Sequence, residues 1–313
     1  MFDSFNITIA TVECLLAITS IAGNLLVCFV IIKNRDMRTP FNYLLLNLAV
    51  ADIIYPTFLS TFFIYRHSFN NPDAMLGNAI CLSLRKLAWI GGDSSVFTMI
   101  AIARERYWAV VHPYSIQRKL TWRKLKAIIP GTWTLSALLN TRGFMIQSLV
   151  GKVALRSCDH FWLDSEEFQK AHRLTMVIFV GISSLLMIGY YSIVVYTLWF
   201  KRDDQKEKPP HQQGVLKVRK RVTLMVLTVT TLFAICWISD IVLHVLEDFG
   251  LCTISDVAIP IAHTMIVFNS AVNPFAYALI NERFREKMKG MLCNRSCQSE
   301  GRITSETSSN RVN

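Results

Sequence analysis

Polar residues are sparse and clustered along this chain, so long apolar runs alternate with short charged connections. The runs cover Ile7–Ile32, Asn42–Tyr65, Ala79–Val111, Ala127–Val150, Leu174–Phe200, Val215–Leu246 and Ile254–Ile280. Each reaches the ~20 residues that cross a bilayer as a helix. A helix satisfies its own backbone hydrogen bonds in hydrocarbon, so the pattern predicts an all-α membrane protein with a bundle of seven transmembrane helices over residues 7–280. Residues 1–6 form a short terminus, and the first run is too long for the apolar part of a cleavable signal peptide, so that span is expected to target the chain itself. Between 281 and 292, Phe284, Met288 and Leu292 recur every four residues among Arg283, Arg285, Lys287 and Lys289, which predicts an amphipathic eighth helix on the membrane surface. The polar stretch 293–313 is expected to be a disordered tail.

Composition agrees. Of 313 residues 52% are hydrophobic and 18% charged, a balance that excludes an ordinary soluble domain. The basic residues also fix an expected orientation. Lys33, Arg35 and Arg38 follow the first span, five lysines and arginines from Arg118 to Lys126 follow the third, and eight from Lys201 to Arg221 follow the fifth. The opposite connections carry Asp3, Glu247, Asp248 and Asp256. The amino terminus is therefore expected outside and the carboxyl terminus in the cytosol of a plasma-membrane protein. The net charge of +11 then reads as a rim facing anionic lipid, with no nucleic-acid partner.

Charges inside the runs are the candidate chemistry. The third run ends in Glu105-Arg106-Tyr107, and an arginine at the centre of a bilayer costs about 2.5–3.5 kcal/mol, so it belongs at a boundary or in the protein interior. Glu105 is expected to neutralise Arg106 locally, and exchange of that carboxylate for another partner would make a two-state element. Asp52 lies well inside the second run, five residues after Asn47, where a carboxylate is expensive unless protonated or bound to a cation. Asn6-Ile7-Thr8 is a glycosylation sequon at Asn6.

Gly23-Asn24, the NLAVAD segment ending at Asp52, Cys81, Glu105-Arg106-Tyr107, Trp133, Cys236-Trp237 and Asn273-Pro274-Phe275-Ala276-Tyr277 occur in this order over nearly the whole chain. In that register the chain resembles the rhodopsin-like, class A family of G-protein-coupled receptors, and within it the peptide receptors. The resemblance implies a disulfide between Cys81 and Cys158 on the oxidising side. It also implies a sodium pocket made by Asp52, Ser95, Asn269 and Asn273. On ligand binding Phe233 and Trp237 would repack, Tyr191 and Tyr277 would move toward Arg106, and the inner end of span six would swing outward. Ser239 and Ser183 stand where the family usually has prolines, and Arg219 stands where some members place an acid facing the arginine of span three. Cys293 and Cys297 follow the amphipathic segment as palmitoylation candidates.

The ligand has to be read from the mouth of the bundle. Ala88, beside Trp89, occupies the position of the aspartate of amine receptors, and Val267 that of the lysine that binds retinal in opsins, so neither ligand class fits. Trp237, Asp240, His244 and then Glu247 or Asp248 climb one face of span six in three- and four-residue steps. With His263, Asp93 and an acidic middle loop they predict a site for a basic, neuropeptide-like ligand. Arg85 and Lys86 offer the opposing reading, in which these acids are neutralised internally. The implied partners are a heterotrimeric G protein and membrane lipid, with arrestin and a receptor kinase acting on Ser305, Thr307, Ser308 and Ser309. No catalytic constellation competes, so no enzyme is expected. The alternatives are a receptor for a small polar or lipid ligand, a binding partner that does not signal, and a seven-span transporter moving ions or protons past Asp52, Asp93 and Asp240.

Overall fold

A computed structural model describes residues 4–68, 75–115, 118–149, 166–200, 210–248 and 258–291. Seven long helices carry the seven apolar runs: α1 (Ser4–Lys33), α2 (Pro40–Ser68), α3 (Met75–Val111), α4 (Trp122–Leu149), α5 (Glu166–Val195), α6 (Pro210–Asp248) and α7 (Ala258–Ile280). An eighth, α8, covers 282–291. A 3-10 turn at Arg35–Met37 joins α1 to α2, and α5 runs on into a π-helical turn at Tyr196–Phe200. Several helices extend past the apolar runs, because backbone hydrogen bonding does not stop where hydrocarbon does. α6 begins at Pro210, in the first-turn position where a missing N–H costs nothing.

The helices close into a ring. α1 packs on α2 and α7, α7 on α6, α6 on α5 and α5 on α3, while α3 also touches α2, α4 and α6 and so runs through the middle. Close approach between α1 and α7 depends on Gly23, where a Cβ would lie 2.8 Å from Pro274 Cγ. The distribution of side chains is that of a membrane bundle. Leu15, Leu185 and Leu279 are 60%, 70% and 73% exposed, whereas Asn24, Asp52, Asn140, Asn269 and Asn273 are buried. By length and apolarity alone, Thr8–Lys33, Pro40–Tyr65, Leu174–Phe200 and Leu216–Leu246 are membrane spans. α3, α4 and α7 are diluted by polar residues turned inward, such as Asp93, Ser136 and Ser270.

Asn47 shows how those polar residues join helices. Its Nδ2 donates to Thr98 Oγ1 of α3 at 2.8 Å, and its Oδ1 accepts from Trp133 Nε1 of α4 at 2.9 Å. Five residues on, the Asp52 side chain is rotated well away around α2 and is bonded by Ser95 of α3 and by Ser270 and Asn273 of α7, while Ser20 of α1 donates to its backbone carbonyl.

Candidate functional site

The polar centre is built on the Asp52 carboxylate. Asn273 Nδ2 donates to Oδ2 at 2.6 Å, and Ser95 and Ser270 hydroxyls donate to Oδ1 at 3.3 and 3.2 Å. Asn24 reaches from α1, donating to the backbone oxygens of Ser20 at 2.9 Å and Ser270 at 3.1 Å. Asn269, one helical turn before Asn273, is buried with Oδ1 lacking a hydrogen-bond partner among the described residues, as are Asn273 Oδ1 and Tyr277 Oη. Of the expected oxygen set, Ser95 and Asn273 thus bond Asp52 directly and Asn269 does not. Ser270 does, and sequence reasoning missed it because a serine in an apolar run is common and silent.

Toward the Cys81 end lies an aromatic stack. Trp237 sits 5.5 Å from Phe233 and 6.1 Å from Trp89, and Trp89 in turn is 5.9 Å from Tyr55 and 5.7 Å from His263, all as ring centroids. Gly92 leaves the room for it: a Cβ there would stand 3.2 Å from both Trp237 Cη2 and Tyr55 Cδ2. Ala88, fully buried beside Trp89, contributes packing. Above the stack Asp240 of α6 turns Oδ1 to His263 Nε2 of α7 at 3.5 Å and to His244 Nε2 at 3.8 Å.

One expectation about this end is corrected: Asp93 does not join Asp240 but accepts a bond from Asn140 of α4, whose Nδ2 donates to its Oδ2 at 2.7 Å. Glu13 of α1, unnoticed in the first apolar run, is buried and accepts a bond from Thr264 Oγ1 at 3.0 Å. The signal was present, since an acid inside a span carries the same cost that singled out Asp52. Cys81 is disulfide-bonded. Cys158, Cys293 and Cys297 lie outside the described residues, as do the side chains of Asn6 and Glu247.

At the opposite end the charges of Glu105 and Arg106 act on each other, but no close ion pair joins them among the described residues. The Arg106 guanidinium lies over the Phe41 ring of α2, 3.6 Å from its centroid, and Glu105 accepts the backbone N–H of Leu120. Consecutive helical residues point about 100° apart, which lets Arg106 turn to α2 while Glu105 turns to the segment before α4. Tyr107 packs on Trp108 and Tyr190 at 5.0 and 5.4 Å. Tyr191 accepts a long bond from Thr230 Oγ1 at 3.5 Å, and Tyr277 packs on Phe284 of α8 at 6.0 Å. Arg219 places its positive charge near Arg106, so α6 offers no acid there. It is instead tied to α8, through an ion pair between Arg221 and Glu282. Lys287 of α8 pairs with Asp36 at 3.1 Å and holds that carboxyl below the usual carboxylate range.

Both unusual serines bond back to their own helices: Ser239 Oγ to the Ile235 carbonyl and Ser183 Oγ to the Phe179 carbonyl, each at 2.7 Å. The ladder that a proline would break is continuous there.

Comparison with known proteins places this geometry. Residues 23–277 match the model of the 7 transmembrane receptor (rhodopsin family). The chain is 28% identical to the tachykinin-like peptides receptor 86C of Drosophila melanogaster, over 95% of this chain and 62% of that protein. It is 27% identical to the pyroglutamylated RF-amide peptide receptor of Rattus norvegicus, over 87% of this chain and 66% of that one, and so spans somewhat less than two thirds of either relative. The Substance-K receptor of Rattus norvegicus is 30% identical over 88% of this chain and 72% of its own length. With the central arginine, the buried aspartate and the α7 asparagine–proline turn in one bundle, the chain belongs to the rhodopsin family of seven-transmembrane receptors.

Proposed function

We propose that the chain is a receptor for a basic, neuropeptide-like ligand and that it activates a heterotrimeric G protein, with its amino terminus outside the cell and its carboxyl terminus in the cytosol. The observation that carries the reading is Asp240, a buried carboxylate above the Trp89–Trp237 stack whose ion-pair partners among the described residues are two histidines. A guanidinium or ammonium entering from the Cys81 end would complete that acid, and its arrival would press on Trp89 and Trp237. The relatives named as receptors for tachykinin-like and RF-amide peptides support a peptide as the carrier of the charge. Arrestin, a receptor kinase and inner-leaflet lipid complete the partners of this reading.

A sodium ion fits the polar centre. Among the described residues Asp52 has only neutral hydroxyl and amide partners, and unpartnered buried oxygens on Asn269, Asn273 and Tyr277 recur about one turn apart along α7. Asp52 and Ser95 would hold the ion with those asparagines, and the ion would supply the positive charge that a buried carboxylate requires. The test of the receptor reading is G-protein activation in cells across a panel of alpha subunits, with amidated basic peptides added and Arg106→Ala alongside. A peptide-dependent response lost in Arg106→Ala at equal surface expression is expected. No coupling under any condition, together with ion flux lost in Asp52→Asn, would replace the receptor by a transporter.

A further inference from the structure

We propose that Asp240, His244 and His263 form a zinc site bridging α6 and α7 at the outer mouth of the bundle. Asp240 and His244 are four residues apart on α6 and so share one face, and His263 faces them from α7. One ligand atom from each residue can be chosen so that all lie within 4.8 Å of one another. In a tetrahedral site with bonds of about 2.0–2.1 Å, neighbouring donors stand about 3.3 Å apart. The carboxylate–imidazole separations of 3.5 and 3.8 Å already approach that, and small side-chain rotations bring the imidazoles together.

A second observation points to a ligand. Asp240 is only 5% exposed, and its Oδ1, turned toward the two rings, has no hydrogen-bond partner among the described residues; nor does His263 Nε2. The donor set selects the metal. Calcium and magnesium take six or more oxygens, whereas two imidazoles and one carboxylate suit zinc and leave its fourth position open. The positive charge of Arg85 on α3 reaches His263 and works against any cation there. A bound ion would tie α6 to α7 and would occupy the carboxylate that a cationic ligand needs, so zinc and a basic ligand exclude each other.

The site goes beyond the receptor reading and is tested without it. Full-length protein in lipid nanodiscs is titrated with zinc against a chromophoric chelator, and thermal melts are recorded with and without zinc; neither measurement needs a peptide or a G protein. The wild type is expected to bind one equivalent with a rise in Tm. His263→Gln and Asp240→Asn are expected to weaken binding at least tenfold and to lose the Tm rise. His244→Gln repeats the test with the more buried pair left in place. Arg85→Gln, with all three ligands intact, binds at least as tightly as the wild type. Absence of saturable zinc binding in the wild type, or wild-type affinity in all three ligand variants, would overturn the site.

Discussion

Gly23 of α1 lies directly against the ring of Pro274 in α7, with space for a hydrogen and none for a methyl group. Gly23→Ala therefore drives a carbon to 2.8 Å from the Pro274 ring, and relief requires the two helices to part. Overpacking of this kind costs about 1–3 kcal/mol. Thermal melts in detergent should show Gly23→Ala well below the wild type, with Gly131→Ala, which meets nothing within 4 Å, as the unshifted control.

Glu282 holds the Pro210 half of α6 through Arg221. Both side chains are partly exposed, so the pair is worth only about 0.2–1 kcal/mol, which bounds the change in basal signalling on Glu282→Gln to an increase of about 1.4- to 5-fold. The double exchange Arg221→Glu with Glu282→Arg should return it toward wild type. Unchanged basal activity in Glu282→Gln would remove the pair as a restraint.

Asp52→Asn keeps a side chain of the same shape but removes the charge. In membranes, replacing choline by sodium should lower basal nucleotide exchange by the wild type and leave Asp52→Asn unaffected. Equal sodium responses would show that the ion acts elsewhere.

Asn47 joins three helices, so Asn47→Ala leaves Trp133 Nε1 without its acceptor and Thr98 without its donor. A loss of about 1–3 kcal/mol is expected. Trp133→Phe removes one of these bonds and should cost less, a ranking that denaturation of the purified protein can read.

The helices were legible because hydrocarbon tolerates so few polar groups, and every apolar run became a helix. Asp52 and Arg106 were legible for the same reason, as charges whose cost demanded a partner. Ser20 and Ser270 were not: a hydroxyl is cheap in a span, and its use appears only when Asp52 stands beside it. The direction of the Arg106 side chain was not legible either, since its ring partner Phe41 lies on another helix. The Arg221–Glu282 pair could not be read at all, since nothing local relates α6 to α8.

The continuous hydrogen-bond ladder at Ser239 makes α6 a lever rather than a hinge. Its 39 residues carry no proline after Pro210 and extend about 58 Å at 1.5 Å per residue. With Trp237 as fulcrum, the arm toward Asp248 is about 16 Å and the arm toward Pro210 about 40 Å. A stiff rod with those arms multiplies displacement about two and a half times, so an ångström of movement at Asp248 arrives at the Pro210 end as more than two. A bent helix would spend part of that motion in its own flexure; this one is geared to deliver it.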